Sequence, residues 1–445
     1  MGRSSGSLAV AMTALVASVL VLQLLFAPAP VSSSPAVLVP LLRTAVIRAS
    51  PLLSNLVKAF LKEQAKQGVM QLIWKAAGHL KNQLLGGVGA DAAGLVVFDI
   101  SIGTSPAQAV SGVMDITSQL VWAQCAPCDA CRAPAFRPAD SASFSKIPCG
   151  SPTCPRVLGD RTACVGDGDC AYNATYYGAG NQSNAYTEGS FATETFTFGA
   201  TSVPGIVFGC VASTTVQLSG GASALFGFGR GNMSLVSQLG LSRFSYSLAS
   251  DDADSSASES VIRLGDAAVP QTQRSRSTPL LRSVMQPDLY YVGLSSIQVD
   301  GHDLDGIPAG TFDLQADGSG GVFLSSTWPA TYLEKTAYGA LRRALVSSIE
   351  SQGVTPVDAE DLHQLCYRRW SFSDVTVPAL TLVFDGVNAT MEVNPENYFF
   401  KDGLKVCLTV LPSKGGSVLG SLLQTGTNMI FDIAGGLLTF EMPTP

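Results

Sequence analysis

Short runs of β-branched and aromatic residues follow one another from Gly94 to the end of the chain, and turn residues separate them. Runs of four to six such residues, bounded by Gly, Pro, Ser and Asp, are typical of strands. Only 14% of the residues are charged and 44 are glycines, which favours strands and turns over a helical bundle. The pattern therefore predicts an all-β protein. The clearest runs are Leu95–Ile100, Thr193–Phe198, Gly205–Phe208, Leu380–Phe384 and Leu437–Phe440.

One helix is expected within this β-rich part. Leu341, Leu345 and Ile349 recur at four-residue spacing, which places them on one face of a helix. We therefore predict a helix over 335–350.

Two pairs of stretches in the β-rich part echo each other. Val-Met-Asp-Ile-Thr-Ser at 113–118 resembles Phe-Leu-Ser-Ser-Thr at 323–327, and Leu-Phe-Gly at 225–227 resembles Val-Leu-Gly at 418–420. Each half thus offers a buried strand, a turn of small polar residues and, later, an apolar-apolar-Gly triplet. The repetition predicts two related lobes, and the Asp/Ser/Arg-rich stretch 250–277 marks the boundary between them.

Charge is distributed unevenly along the chain. The formal net charge is −7, from 27 basic and 34 acidic residues. Residues 30–90 hold seven basic residues and one acidic residue, a net +6, whereas 91–445 hold 19 basic and 33 acidic residues, a net −14. This acidic excess argues against a nucleic-acid partner, because phosphates attract Lys and Arg. A basic arm ahead of an acidic body predicts attraction between the two.

The extreme N-terminus has the pattern of a secretion signal. Arg3 precedes an apolar run from Leu8 to Phe26, and Ala27-Pro28-Ala29 follows as a small-residue cleavage site. We predict a cleaved signal peptide over 1–29 and no stable membrane span after its removal. An uncleaved signal anchor is the alternative, since the run is long enough to span a bilayer.

A basic, helical segment follows the signal. Apolar residues within 52–85 recur with helical periodicity, and lysines occupy the other positions. We predict that 30–90 resembles a propeptide that covers an acidic cleft. A plain amphipathic surface helix and a membrane-surface helix are the alternatives.

The predicted parts of the chain are therefore the signal peptide at 1–29, the basic segment at 30–90, an N-terminal lobe at 91–265 and a C-terminal lobe at 266–445.

The chain has ten cysteines, eight of them between residues 125 and 210. An even number in a chain with a signal peptide predicts disulfides and a secreted protein, extracellular or in the cell wall, with the vacuole as an alternative. The spacing of Cys125, Cys128 and Cys131 also fits a metal site, but the next cysteine is 18 residues away. We expect no cofactor. Glycosylation sequons occur at Asn173, Asn181, Asn232 and Asn388.

Seven further stretches are together far more specific than any tripeptide. They are Ser101–Thr104, Gln119–Cys125, Phe208–Cys210, Gly227–Gly231 with Ser234–Leu239, Arg243–Leu248, Tyr290–Val292 and Ser417–Gly420. Through them, residues 94–442 resemble a plant aspartic protease of the pepsin family, in the nepenthesin-like, cysteine-rich branch. The resemblance implies a bilobal pepsin-like fold with two related β-barrel lobes, a central cleft and a polypeptide substrate or protein partner in it. We expect a monomer.

That family hydrolyses peptides with two carboxylates, which it carries in D-T-G-S and D-S-G-T motifs. The pair shares one proton; one group activates water as general base and the other protonates the substrate carbonyl. Here the first motif is Asp-Ile-Thr-Ser from Asp115, and the second is Ser-Ser-Thr-Trp from Ser325. The second catalytic Asp is thus replaced by Ser325, and both glycines are replaced by threonines. The comparison predicts a defective catalytic pair.

The resemblance also implies roles for residues outside the two motifs. Tyr177, in Tyr-Gly-Ala-Gly-Asn, matches the family's flap, which covers the cleft and contacts a bound chain. The implied disulfide pairs are Cys125–Cys128, Cys131–Cys210, Cys149–Cys170, Cys154–Cys164 and Cys366–Cys407.

Three functional interpretations follow. The first is a secreted pepsin-fold protein without a competent catalytic pair, which binds a polypeptide or protein and resembles the grass inhibitors of cell-wall xylanases. The second is an active aspartic endopeptidase that cleaves proteins at acid pH. The third is a non-functional duplicate that folds poorly.

Overall fold

The computed structural model describes most of the β-rich part of the chain. The described residues are 97–129, 131, 134–154, 162–165, 168–176, 185–216, 218, 221–248, 260–357, 364–413 and 415–442. All of them belong to one compact unit, Val69–Pro445. The predicted signal peptide (1–29), basic segment (30–90) and helix over 52–85 lie outside the described residues.

Strands are the commonest regular structure in the described residues, as the runs of β-branched and aromatic residues predict. The strands of the first half are β1 (Val97–Ile102), β2 (Gln108–Asp115), β3 (Trp122–Asp129), β4 (Ser145–Lys146), β5 (Thr162–Val165), β6 (Asp169–Tyr176), β7 (Ala185–Phe198), β8 (Thr201–Thr214), β9 (Ala224–Gly227), β10 (Arg243–Ser247) and β11 (Val261–Leu264). The strands of the second half are β12 (Ser275–Leu281), β13 (Tyr291–Val292), β14 (Leu294–Val299), β15 (His302–Asp303), β16 (Val322–Leu324), β17 (Thr331–Glu334), β18 (Cys366–Arg368), β19 (Leu380–Phe384), β20 (Thr390–Val393), β21 (Phe399–Asp402), β22 (Lys405–Leu408), β23 (Val410–Ser413), β24 (Ser417–Leu419), β25 (Asn428–Asp432) and β26 (Leu437–Glu441).

In the part of the chain that the structure describes, helices are few and mostly one turn long. They are α1 (Leu235–Gln238), α2 (Lys335–Glu350), α3 (Arg369–Phe372), α4 (Pro395–Tyr398) and α5 (Ser421–Gln424), with 3₁₀ turns at Pro138–Asp140 and Gly265–Ala267. The long helix α2 confirms the prediction over 335–350, and Leu341, Leu345 and Ile349 are all buried. It begins where the Glu334 carboxylate accepts hydrogen bonds from two backbone N–H groups of the first turn.

Within the described residues the strands form four sheets. The first has the order β1-β2-β9-β3-β8-β7-β6-β5, with β4 beside β7. The second has the order β11-β10-β25-β26-β12-β13-β16-β24-β17-β23. Two smaller sheets are β15-β14-β19-β20 and β18-β22-β21. The predicted all-β class is confirmed.

The same strand arrangement occurs in both halves. β2 runs parallel to β9, with Asp115 beside Gly227, and β3 pairs antiparallel with β9. β16 likewise runs parallel to β24, with Leu324 beside Leu419, and β17 pairs antiparallel with β24. The repeated motifs in the sequence thus correspond to a repeated structure, and each copy ends a buried strand in a polar turn.

The two halves share a continuous core. β10, which precedes the predicted lobe boundary at residue 265, pairs with β25 near the C-terminus, and Phe244 lies opposite Phe431. Their rings stack with centroids 4.7 Å apart, and Tyr290 packs on Phe431 at 4.9 Å. Burying a Phe side chain contributes about 2 kcal/mol, so this cluster fastens the halves together. The stretch 250–277 contains β11 and the start of β12, and therefore includes paired strands.

The disulfides correct most of the implied pairing. Cys125 bonds to Cys210, and Cys128 bonds to Cys131, so the pairs Cys125–Cys128 and Cys131–Cys210 are wrong. The reason is the parallel pairing of β3 with β8, which places Ala123 beside Cys210 and the Cα atom of Cys125 within 5.4 Å of that of Cys210.

A second correction concerns the cysteines around β6. Cys154 bonds to Cys170, so the pairs Cys149–Cys170 and Cys154–Cys164 are also wrong. Both side chains of the observed pair are buried, and Cys149 is disulfide-bonded as well. The remaining implied pair, Cys366–Cys407, is confirmed and joins directly opposed positions of β18 and β22.

Candidate functional site

The first polar turn places Asp115 at the carboxyl end of β2. Its side chain is only 6% exposed. Oδ1 accepts a hydrogen bond from the backbone N–H of Thr117 at 2.8 Å and another from the Thr117 hydroxyl at 2.6 Å. Burial raises the pKa of Asp115, and the two hydrogen bonds from Thr117 oppose part of that rise. Asp115 therefore keeps its proton to a higher pH than an exposed aspartate.

The second polar turn places Ser325 at the end of β16, in the position equivalent to Asp115. Ser325 is completely buried. Its Oγ accepts hydrogen bonds from the backbone N–H groups of Thr327 at 3.3 Å and of Trp328 at 3.1 Å. The hydroxyl thus organises its own turn, as the Asp115 carboxylate does in the first turn. A serine hydroxyl does not ionise in the pH range of a carboxyl group, so it supplies no acid of comparable strength.

A hydrogen-bond bridge brings the two turns into direct contact. The Oγ of Ser326 accepts from the backbone N–H of Ile116 at 3.1 Å and donates to the carbonyl of Met114 at 2.9 Å. Ser326 and Ile116 directly follow Ser325 and Asp115, so the bridge sets the spacing of the two candidate catalytic positions. The Ile116 side chain is buried and apolar and cannot make the reciprocal bond. Only the second turn therefore supplies a side chain, that of Ser326, to the hydrogen bonds between the two turns.

Trp328 fills the space behind the second turn. Its ring is 4% exposed and packs edge-on against Phe323, with centroids 6.1 Å apart, and against Tyr332 at 6.0 Å. Because the indole is fixed by this packing, the backbone N–H that reaches Ser325 is fixed as well.

Glycines allow the backbone to pass close behind each turn. A Cβ on Gly227 would lie 2.6 Å from the carbonyl oxygen of Leu120, and one on Gly420 would lie 2.3 Å from that of Ala330. Both distances are shorter than any side chain tolerates. The apolar-apolar-Gly triplets predicted from the sequence therefore pack directly against the turns.

Contacts between the halves beside the first turn were not anticipated from the sequence. The Nε2 of Gln119 donates to Oδ2 of Asp288 at 2.9 Å, and the Tyr290 hydroxyl donates to the carbonyl of Phe228 at 2.8 Å. The Arg230 guanidinium lies 5.1 Å from the centre of the Tyr290 ring. Burial raises the pKa of Asp288, and the bond from Gln119 opposes it. Gly227–Gly231 and Tyr290–Val292 were singled out as motifs, but their spacing does not reveal that they meet.

The other predicted site residues have different outcomes. Tyr177 of the flap and the sequon at Asn181 lie outside the described residues. Asn173, Asn232 and Asn388 are exposed, as a glycan acceptor must be, and their glycosylation stays a prediction.

The described ranges contain neither a metal-binding cluster nor a helix able to cross a membrane. No group of three or more His, Cys, Asp or Glu side chains in them is arranged to hold a metal ion. No helix in these ranges has the length and apolarity that crossing a membrane requires.

A cavity of about 520 Å³ in the second half lies apart from both turns. Its lining combines apolar side chains such as Leu294 and Phe312 with the carboxylates of Asp313 and Asp385. Neither Asp115 nor Ser325 contributes to it.

Comparison with known proteins places the chain in a family. Residues 97–266 match the family model described as xylanase inhibitor N-terminal, and 289–442 match xylanase inhibitor C-terminal. Aspartic proteinase nepenthesin-2 of Nepenthes gracilis is 36% identical over 359 residues, which cover 79% of this chain and 78% of that protein. Aspartyl protease family protein 2 of Arabidopsis thaliana is 33% identical, with 77% of this chain and 69% of that protein covered. The chain belongs to the plant pepsin-like aspartic protease family that includes the nepenthesins.

Solved structures agree with this fold. Conglutin gamma from lupine seeds superimposes with a TM-score of 0.60 at 20% identity, covering 79% of this chain and 92% of that chain. Basic 7S globulin from soybean superimposes with a TM-score of 0.59 at 19% identity, with the same coverage. At this identity the likeness concerns the fold alone.

Proposed function

We propose that this chain is a secreted pepsin-fold protein that binds a polypeptide or protein in its cleft without hydrolysing it. The observation that carries the proposal is the buried Ser325 at the position equivalent to Asp115, with its hydroxyl engaged in its own turn. The family's chemistry needs two carboxylates that share a proton and divide the roles of acid and base. This chain supplies only one of the two carboxylates, that of Asp115, because the second position holds the Ser325 hydroxyl.

The expected loss of rate is large. A general acid or base contributes about 10²–10⁴-fold to the rate. Ile116 and the threonines at 117 and 327 add to the loss, because side chains replace the glycines and the second bracing hydroxyl is absent. A displacement of roughly 1 Å at a catalytic group can cost about 10²-fold.

The nearest carboxylate in sequence before the second turn does not replace the missing group. The Oδ1 of Asp317 accepts hydrogen bonds from the backbone N–H of Ser319 at 3.0 Å and from its hydroxyl at 2.6 Å. This carboxylate is exposed and serves a separate Gly-rich turn, eight residues before Ser325.

The proposed partner is a protein such as a cell-wall glycosidase. The description of the matching family as xylanase inhibitor supports this choice, and the disulfides, together with the predicted signal peptide, support secretion. Adding the purified protein to a xylanase should lower the rate of xylan hydrolysis in proportion to complex formed. The variant Asp115→Asn, which keeps the shape of the side chain and removes its charge, tests whether the turn at Asp115 takes part in binding the xylanase.

An active endopeptidase is the second candidate, because relatives at 33–36% identity are named as aspartic proteases and Asp115 is retained. A matched set of variants separates the two. The quadruple variant I116T/T117G/S325D/T327G should gain pepstatin-sensitive cleavage of a denatured protein at acid pH. The triple variant I116T/T117G/T327G, which lacks only the new carboxylate, should remain inactive. Cleavage by the triple variant would show that Ser325 is not the defect and would contradict the proposal.

A further inference from the structure

A cluster of cations and exposed apolar side chains lies on the small sheet β18-β22-β21, which is separate from the sheets that carry the two turns. We name it the Trp370 patch. Its members come from α3, β18 and the β21–β22 hairpin and are Arg368, Arg369, Trp370, Leu404 and Lys405. Arg368 and Lys405 are directly opposed and share one face of the sheet, whereas Lys401 is opposed to the buried Val406 on the other face.

The apolar members of the patch are unusually open. Trp370 is 71% exposed and Leu404 is 84% exposed. The two segments are neighbours, since the backbone N–H of Arg369 donates to the carbonyl of Leu404 at 2.9 Å. An indole with most of its surface exposed presents a flat apolar surface to a ligand.

The platform under Trp370 is rigid. The adjacent Phe372 is buried and packs against Phe399, with ring centroids 4.9 Å apart, and against Tyr367 at 5.3 Å. The Ser373 hydroxyl donates to the carbonyl of Trp370 at 3.0 Å, and the bridge Cys366–Cys407 joins the strands beneath. A surface that is already ordered loses little conformational entropy when it binds a ligand.

The patch also carries a local positive charge, whereas the rest of residues 91–445 has an acidic excess. Residues 366–374 and 399–408 carry a net +2, whereas 91–445 as a whole carry −14. The patch itself has three cations, Arg368, Arg369 and Lys405, and Asp402 is the residue opposed to Lys405. In the part of the chain that the structure describes, the ion pairs involve other residues. Arg368 and Arg369 offer planar guanidinium groups, whose geometry matches carboxylates in a bidentate way.

We propose that the Trp370 patch binds a chain of uronic acids. The indole would cover the apolar face of a sugar ring, while Arg368, Arg369 and Lys405 pair with the carboxylates of the sugars, so both chemical features of the patch are used. A membrane surface fits less well, because two exposed apolar side chains on short turns form no amphipathic element able to insert. An acidic peptide would need the cations but not the flat indole.

The experiment titrates the purified full-length protein with oligogalacturonate at low salt and measures binding by calorimetry. Trp370→Ala and the double variant R368Q/R369Q should each weaken binding by about tenfold or more, equivalent to about 1.4 kcal/mol. Arg274→Gln, which removes an exposed cation outside the patch, and Val387→Ala, which truncates another exposed apolar side chain, should change it less than twofold. Added salt should weaken binding.

Three comparison ligands decide the specificity. Polyglutamate should bind at least tenfold more weakly than oligogalacturonate, and a neutral xylo-oligosaccharide should not bind through the patch. If polyglutamate binds as tightly as oligogalacturonate and Trp370→Ala has no effect, binding depends on charge alone and the proposal is overturned. The third comparison ligand is a vesicle that contains phosphatidylserine. If oligogalacturonate does not bind, whether or not these vesicles bind, the proposal is overturned.

Discussion

Replacing Ser326 by alanine removes the hydroxyl that joins the two polar turns. The change leaves two backbone groups without this partner, the N–H of Ile116 and the carbonyl of Met114, at a place where both residues are completely buried. Each buried polar group that loses its hydrogen bond costs about 1–3 kcal/mol. We therefore expect Ser326→Ala to lower the free energy of unfolding by about 2–4 kcal/mol.

A second buried serine provides a matched control. Ser245 is as buried as Ser326, but among the described residues its Oγ has no hydrogen-bond partner. Ser245→Ala removes the same atom without breaking a hydrogen bond, so it should not lower the free energy of unfolding. Urea denaturation of both variants beside the unaltered protein measures the difference. If the two alanine variants were equally stable, the bridge between the turns would contribute nothing, and the reasoning about the spacing of the site would be refuted.

Three other predictions follow from the same geometry. Burial raises the pKa of Asp115, so the stability that its neutral form contributes is fully present below the pKa of an unfolded aspartate and is lost as the pH rises through the pKa in the folded protein. Asp115→Asn should abolish this part of the pH dependence of the free energy of unfolding. An unchanged pH dependence in the variant would contradict the prediction. Trp328→Ala should cost about 3–5 kcal/mol in a denaturation experiment, since it empties a packed site; a cost below 1 kcal/mol would disprove the packing argument. Peptide mapping without reduction should recover Cys125 linked to Cys210, and a Cys125–Cys128 link would show the pairing to be wrong.

The fold was largely predictable because its signals are local. Runs such as Leu380–Phe384 alternate with turn residues and form strands with the predicted bounds, and the four-residue spacing over 335–350 identified the long helix. The strand Leu437–Glu441 extends one residue beyond the predicted run Leu437–Phe440, which is the usual uncertainty at the end of an element.

The candidate site was predictable only in part. Asp115 and Ser325 could be aligned from the repeated motifs, because each motif lies within a few consecutive residues. The bridge through Ser326 and the contact of Gln119 with Asp288 join residues 210 and 169 positions apart, and no local pattern encodes such pairs. Four of the five disulfide pairs implied by the family resemblance are wrong, and only Cys366–Cys407 is confirmed, because the sequence does not show which strand lies beside which.

The most direct test of the account is digestion of a denatured protein at acid pH by the unaltered protein, with the products identified by mass spectrometry in the presence and absence of pepstatin. The account predicts no pepstatin-sensitive peptide, because Asp115 faces a turn built on the Ser325 hydroxyl instead of a second carboxylate. Pepstatin-sensitive fragments that also disappear in the Asp115→Asn variant would contradict it, since they would show that a single carboxylate at this site suffices for hydrolysis.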